Sequence, residues 1–235
     1  MTPADLCARA EELFAALETS IVGKRDALHL LLAAILADGH VLIEDVPGVA
    51  KTSIARAVAQ ILGLPFKRVQ FTTDLLPADL TGGFVFDQRS ATFQFRRGPV
   101  FTQLLLADEI NRAAPKTQSA LLEAMQERQV TVEGETFALV QPFMVIATQN
   151  PIELDGTYPL PEAQLDRFMI RLDIGYPSEQ QEQEILRRRR DMRADAVVLP
   201  QLLSAQELLA MQALLEDVRR TFGRALHRDA GARDA

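Results

Sequence analysis

The stretch "HVLIEDVPGVAKTSIARAVAQIL", His40 to Leu62, joins a short apolar run, a turn, and a segment rich in Ala, Ile and Val without Pro or Gly. Strand, loop, helix is the natural reading. A loop in that setting can cradle phosphate through consecutive backbone N–H groups with a helix N-terminus behind them, and Lys51 and Thr52 stand where G-x-x-x-x-G-K-[ST] needs them. In that pattern Lys51 contacts the outer phosphates and the Thr52 hydroxyl holds Mg²⁺. Both glycine slots are changed, however: the first holds Asp45 and the second Ala50, while Gly48 sits mid-loop. If the second slot needs positive φ, an alanine there carries about 1–3 kcal/mol of strain. Pro47 stiffens the loop and gives up one N–H. Taken alone, the loop has a competing reading as a glycine-containing turn that binds nothing.

Working outward, the charge balance is 25 basic against 32 acidic residues, net −7, which disfavours a protein built to coat nucleic acid. A single cysteine, Cys7, excludes an intrachain disulfide framework, and His29, His40 and His227 are too scattered for a zinc-ligand set. The acidic N-terminal segment does not match a secretory signal, and the apolar run Ala27 to Ala37 is too short for a membrane span. A cytoplasmic location is the expectation.

Helical spacing places helices over 4–18 and from Arg25 to Leu36. "FKRVQF" (Phe66 to Phe71), "FTQLLLADEI", "FMVIATQN" and "RFMIRLDI" read as strands, and "PKTQSALLEAMQERQ" as a helix opened by Pro115. Alternating pieces between Gly82 and Gly98, and again in "QVTVEGETFALV" from Gln129 to Val140, read as two hairpins. Two helices follow, Ser178 to about Arg193 and Ser204 to about Phe222. The result is an α/β fold with a central parallel sheet whose ligand lies at the carboxyl ends of the strands.

One of those strands ends in Asp108 and Glu109. An acid pair in that position can orient Mg²⁺ and polarise an attacking water, although alone such a pair is most often a helix cap or a solvated loop.

The run "ADEINRAAPKTQSALLEAMQERQVTVEG", followed by "FMVIATQNPIELDGTYPLPEAQLDRFMIRLDIGYP", closely resembles the MoxR family of AAA+ ATPases, and the similarity extends from about Ile21 through Arg193. In that family the phosphate loop often carries Asp and Ala in the two altered slots. The resemblance implies a P-loop NTPase (AAA+) core, ATP and Mg as ligands, and assembly into a ring of six. It makes Asp108 and Glu109 the Walker B pair, with Glu109 the catalytic base and Asp108 beside Thr52 at the metal. Asn150 corresponds to sensor 1, and Arg167 in "LDRF" to an arginine finger that reaches a neighbouring subunit. For Arg167 an intramolecular partnership with Asp166 or Asp173 stays open, and Arg112 reads as a structural or interface ion pair. Gly23 in "IVGK" matches the segment beside the adenine. With Pro47, Gly48, Val49, Ala50, Lys51, Thr52, Ser53 and Asp108 it completes the nucleotide-binding set. The hairpins match inserts that face the pore or a client.

The expected division is a nucleotide-binding core over 1–193, the start of a helical lid over 194–223, and a disordered tail over 224–235. Family members continue into a complete lid with a sensor 2 arginine, so the lid reads as truncated. The apolar residues Leu208, Leu209, Met211, Leu215, Val218 and Phe222 are left wanting a packing partner. The function implied is ATP hydrolysis that drives remodelling of partner proteins, possible clients being proteins with a von Willebrand factor A domain. The alternative is a nucleotide-binding regulatory subunit with little turnover. A nucleic-acid motor is disfavoured by charge.

Overall fold

The computed structural model describes residues 1–44, 50–151, 156–192 and 198–231, with the side chains of 189, 191, 192 and 219–231 excepted. Helices α1 (Pro3–Ser20) and α2 (Arg25–Leu36) precede strand β1 (Val41–Glu44), and α3 (Lys51–Ile61) leads to β2 (Phe66–Gln70). A short helix α4 (Pro77–Thr81) opens into the hairpin β3 (Gly82–Asp87) and β4 (Thr92–Arg97). Strand β5 (Leu104–Asp108), helix α5 (Pro115–Glu127), the hairpin β6 (Gln129–Val132) and β7 (Glu135–Ala138), and β8 (Met144–Gln149) follow. The chain closes with α6 (Glu162–Leu165), β9 (Ile170–Leu172), α7 (Glu179–Met192) and α8 (Ala205–Gly231).

Local chemistry accounts for the boundaries. Pro3, Pro77 and Pro115 stand in the first turns of α1, α4 and α5, where a missing N–H costs nothing. Thr2 and Asp5 cap α1 reciprocally, with Thr2 N donating to Asp5 Oδ2 at 2.8 Å and Asp5 N to Thr2 Oγ1 at 3.2 Å. Ser178 with Gln181, and Ser204 with Glu207, repeat the device ahead of α7 and α8. In the β6–β7 turn Glu133 and Gly134 both have positive φ, 51° and 85°, which a two-residue hairpin turn requires.

Five strands form one parallel sheet in the order β2-β5-β8-β1-β9. Alternation along each strand sends side chains to two cores. Val41, Ile43, Leu104, Leu106, Met144 and Ile146 face α1, α2, α3 and the start of α8. Leu42, Leu105, Ala107, Val145 and Ala147 face α5 and the base of the hairpins. The parallel α/β sheet and both hairpins fall where the sequence placed them.

The two hairpins are joined to each other. Phe95 of β4 stacks on Phe137 of β7 with centroids 3.9 Å apart and planes 10° off parallel, and Phe84 and Phe101 flank the pair. This is cohesion of a kind that sequence spacing does not display.

The helix α8 does find a partner. Leu208 and Met211 are fully buried in the first core, Leu214 and Leu215 pack against it, and Gln212 Nε2 donates to the Ile35 carbonyl at 2.9 Å. The apolar face that the sequence left uncovered is therefore seated, over its first half, on the first core and α2, while Leu202 and Leu203 just ahead of the helix bond the Ile61 carbonyl at the end of α3. The helix also runs to Gly231, past Phe222 and through most of the segment read as a tail. No proline interrupts Thr221 to Gly231, and the one interior glycine, Gly223, costs only about 1 kcal/mol, too little to end the helix by itself.

Candidate nucleotide site

In a parallel α/β sheet the ligand end is the carboxyl end, and here β1, β8 and β5 finish side by side at Glu44, Gln149 and Asp108. The strands are about 4.8 Å apart, so the end of β1 lies about 10 Å from the end of β5. Pro47, Gly48 and Val49 lie outside the described residues. Ala50 is described, and it is left-handed, φ 56° and ψ 15°, as the N-cap of α3. The glycine conformation of the loop is thus kept without the glycine. Lys51 and Thr52 form the first turn of the 11-residue α3, with Lys51 buried, Thr52 half-buried and Ser53 exposed. A helix N-terminus with a buried ammonium in its first turn suits an anion.

Asp108 is held on both oxygens. Thr148 Oγ1 donates to Oδ1 at 2.6 Å, and Arg68 places Nε at 3.1 Å and Nη2 at 2.6 Å from Oδ2. The same Thr148 oxygen accepts the Glu109 N–H at 2.8 Å, so one buried hydroxyl fixes both acids. Glu109 is left-handed, φ 57° and ψ 52°, which turns its side chain out of the strand direction. Such a conformation costs a non-glycine residue roughly 1–2 kcal/mol. Its Oε2 accepts from Gln70 Nε2 at 2.8 Å and pairs with Arg112 Nη1 at 3.2 Å. The ion pair expected of Arg112 is therefore made with Glu109 itself.

Asn150 follows β8 and is buried; Asn111 Nδ2 donates to its carbonyl at 3.2 Å. Asn111 also accepts the Tyr158 N–H at 2.6 Å, and Gln118 Nε2 donates to the Ile110 and Tyr158 carbonyls at 3.1 and 2.8 Å. This polar network ties the turn after β5 to the turn after β8.

Two residues sit elsewhere. Arg167 donates from Nε to Gln126 Oε1 at 2.9 Å, near the C-terminal end of α5, whereas Asp108 and Glu109 precede that helix. Met169 N, two residues on, bonds the His40 carbonyl at the amino end of β1. Eleven residues of α5 separate Pro115 from Gln126, about 16 Å of helix. Arg167 is thus held away from the acids of its own chain, and among the described residues it makes no ion pair with Asp166 or Asp173. Gly23, with φ 72°, packs so closely on the Gln181 side chain that a Cβ would overlap it. It therefore lies against the start of α7.

The sequence reading missed Arg68, Gln70 and Thr148. A signal was there: two polar residues two apart on one strand share a face, and Thr148 is a hydroxyl inside a mostly apolar strand.

No group of three or more His, Cys, Asp or Glu suited to a metal occurs among the described residues. The Thr52 hydroxyl and the Asp108 carboxylate are hard oxygen donors of the sort Mg²⁺ takes alongside phosphate oxygens, so the residues fit it in that role. No described helix is long and apolar enough to cross a membrane.

Residues 40–170 match the model of the ATPase family associated with various cellular activities (AAA). YeaC of Bacillus subtilis is 51% identical over 199 residues, 85% of this chain and 62% of YeaC. The chaperone MoxR1 of Mycobacterium tuberculosis is 48% identical over 194 residues, 83% of this chain and 51% of MoxR1. A crystal structure of a protein from Cytophaga hutchinsonii superposes with a TM-score of 0.80 at 41% identity, covering 89% of this chain and 63% of that one. The chain thus spans between half and two-thirds of the length of these three relatives. It belongs to the ATPase family associated with various cellular activities, and its similarity to MoxR1 sets it beside the MoxR proteins within that family.

Proposed function

We propose that the chain binds ATP at the carboxyl ends of β1, β8 and β5, hydrolyses it with Mg²⁺, and uses the cycle to remodel partner proteins. The observation that carries this reading is the shared Thr148 hydroxyl, which fixes Asp108 and Glu109 as a pair two strands from the end of β1.

In this reading the N–H groups from Gly48 to Ser53 and the Lys51 ammonium take the phosphates, and Gly23 lies on the adenine side. Thr52 and Asp108 would hold Mg²⁺, which when bound neutralises phosphate charge. Glu109 accepts the proton of the attacking water, and Asn150 orients that water. Arg167 serves the site of a neighbouring copy in a ring, because its own acids are out of reach. A trans arginine is worth about 10³–10⁵ in rate, roughly 4–7 kcal/mol. MoxR1 is named a chaperone, and that name is the support for a protein client here.

A second reading, nucleotide held with little turnover, is favoured by one observation: Glu109 Oε2 is engaged by both Gln70 and Arg112. ATP binding and steady-state hydrolysis, measured with wild type, Lys51→Ala and Glu109→Gln, separate the two. The leading reading expects Lys51→Ala to lose binding. It expects Glu109→Gln to bind ATP but turn over about 10²–10⁴ times slower. Binding by wild type with turnover no faster than Glu109→Gln supports the second reading, and no binding by wild type ends both.

A further inference from the structure

Beside the outer strand of the sheet lies an open cleft of about 720 Å³ that shares only Arg68 with the nucleotide site. One wall is β2, contributing Lys67 and Arg68; the other is the base of the β3–β4 hairpin, contributing Gly82, Gly83, Arg96 and Arg97. Four of its side chains are cationic in a chain of net charge −7. Arg68 is already neutralised by Asp108. Lys67, Arg96 and Arg97 are exposed and make no ion pair among the described residues; Lys67 Nζ reaches only the Gly98 carbonyl, at 3.5 Å, and Arg97 lies over the Phe101 ring at 5.3 Å. The one carboxylate in the lining, Asp79, accepts from Leu76 N at 2.9 Å as a helix cap.

We propose that this cleft takes an extended acidic segment of a protein partner, a proposal that rests on the remodelling function above and names the chemistry of its client. Charge complementarity supplies the sign. The strand supplies the shape. Lys67 and Arg68 leave opposite faces of the sheet, yet both line the cleft, which therefore runs along the outer edge of β2, an edge with no ladder partner among the described residues. Such an edge accepts an added strand through backbone hydrogen bonds. Across from it, a Cβ built on Gly83 meets nothing within 4 Å, so a second backbone has room to approach. A nucleic acid strand would want stacking faces as well as cations. The one aromatic in the lining, Phe84, is turned onto Phe95 and Phe137, with centroids 5.6 and 6.3 Å away.

The test uses the full chain and three fluorescein-labelled peptides of about six residues, roughly 20 Å extended, which alternate threonine with glutamate, glutamine or lysine. Fluorescence anisotropy at low salt is expected to show binding of the glutamate peptide only, weakening as salt rises. Arg96→Glu combined with Arg97→Glu is expected to weaken that binding at least about tenfold. Neither residue belongs to the nucleotide site, so ATP binding by the same samples is expected to be unchanged; far-UV circular dichroism checks the fold, and Lys67→Glu serves as a second, single-site variant. Equal binding of the three peptides, or glutamate-peptide affinity unmoved in both variants, overturns the proposal. So does an oligothymidine that binds more tightly than the glutamate peptide and is lost on charge reversal. Failure of wild type to bind ATP would instead strike the nucleotide-site reading and leave the anisotropy result to decide the cleft.

Discussion

Arg68 closes on Asp108 from the neighbouring strand, with Nη2 2.6 Å and Nε 3.1 Å from the same carboxylate oxygen. β2 and β5 pair in parallel with Arg68 opposite Leu106, so the guanidinium reaches along the ladder to the strand end. A cation at that distance competes with any metal for Asp108. The arginine side chain is 46% exposed, so the pair itself adds little stability, about 0–1 kcal/mol. Arg68→Ala is therefore expected to leave the fold intact and to lower, several-fold, the Mg²⁺ concentration that half-saturates ATP binding. An unchanged or raised Mg²⁺ requirement, measured by titration with a fluorescent ATP analogue, would show that Arg68 does not oppose the metal.

Ala50 holds a conformation built for glycine, φ 56° at the N-cap of α3. An L-residue with a Cβ is disfavoured there by roughly 1–2 kcal/mol, and glycine gives part of that back as lost chain entropy. Ala50→Gly is expected to raise stability by about 1 kcal/mol, a shift of roughly 2–4 °C in Tm for a chain of this size. A fall in Tm would mean that the Cβ makes contacts worth more than the strain. The same variant restores the second glycine of the phosphate-loop pattern, so ATP affinity is expected to stay level or rise.

His40 is buried at the amino end of β1, with Nδ1 accepting the Val145 N–H and Nε2 donating to the Met125 carbonyl, both at 3.1 Å. Burial first, and then the Arg128 charge, push its pKa down from 6.5 to about 4, while the Met125 carbonyl pulls the other way. The folded chain therefore keeps the ring neutral where the unfolded chain protonates it. This contribution to stability is complete above pH 6.5 and is lost as pH falls from 6.5 to about 4, a total of about 3 kcal/mol at 1.36 kcal/mol per pH unit. Imidazole nitrogen shifts are expected to show His40 untitrated at pH 5, with Nε2 carrying the proton. Titration of His40 near 6.5 would remove the basis for the effect.

What could be read from the sequence divides along a physical line. Periodicity and end chemistry are local: Pro115 opening α5, Glu133 and Gly134 turning a hairpin, and the apolar run into Asp108 are each visible within a few residues. Contacts between segments far apart in the chain are not. Thr148 lies 40 positions from Asp108, Phe95 stacks on Phe137, and Gln212 bonds the Ile35 carbonyl 177 positions away. Sequence spacing also cannot show which strand lies outermost, and the cleft beside β2 depends on that. The resemblance to MoxR proteins proposed a role for Arg167 without saying where its own chain would hold it.

That placement makes the sharpest prediction. Arg167 is tied to Gln126 near the far end of α5, about 16 Å of helix from where the chain leaves Glu109. If it acts, it acts on a neighbour, and two defective chains can then complement one another. Arg167→Ala alone is expected to lose about 10³–10⁵ in turnover, and Glu109→Gln alone about 10²–10⁴. Mixed in equal amounts, they form interfaces in which an intact Glu109 meets an intact Arg167 from the other chain. Turnover of the mixture is expected to exceed the sum of the two variants measured apart, and to rise more steeply than linearly with total protein. A mixture no faster than that sum, while light scattering shows mixed assemblies, would place the arginine outside the chemistry and leave it as the Gln126 partner seen in the fold.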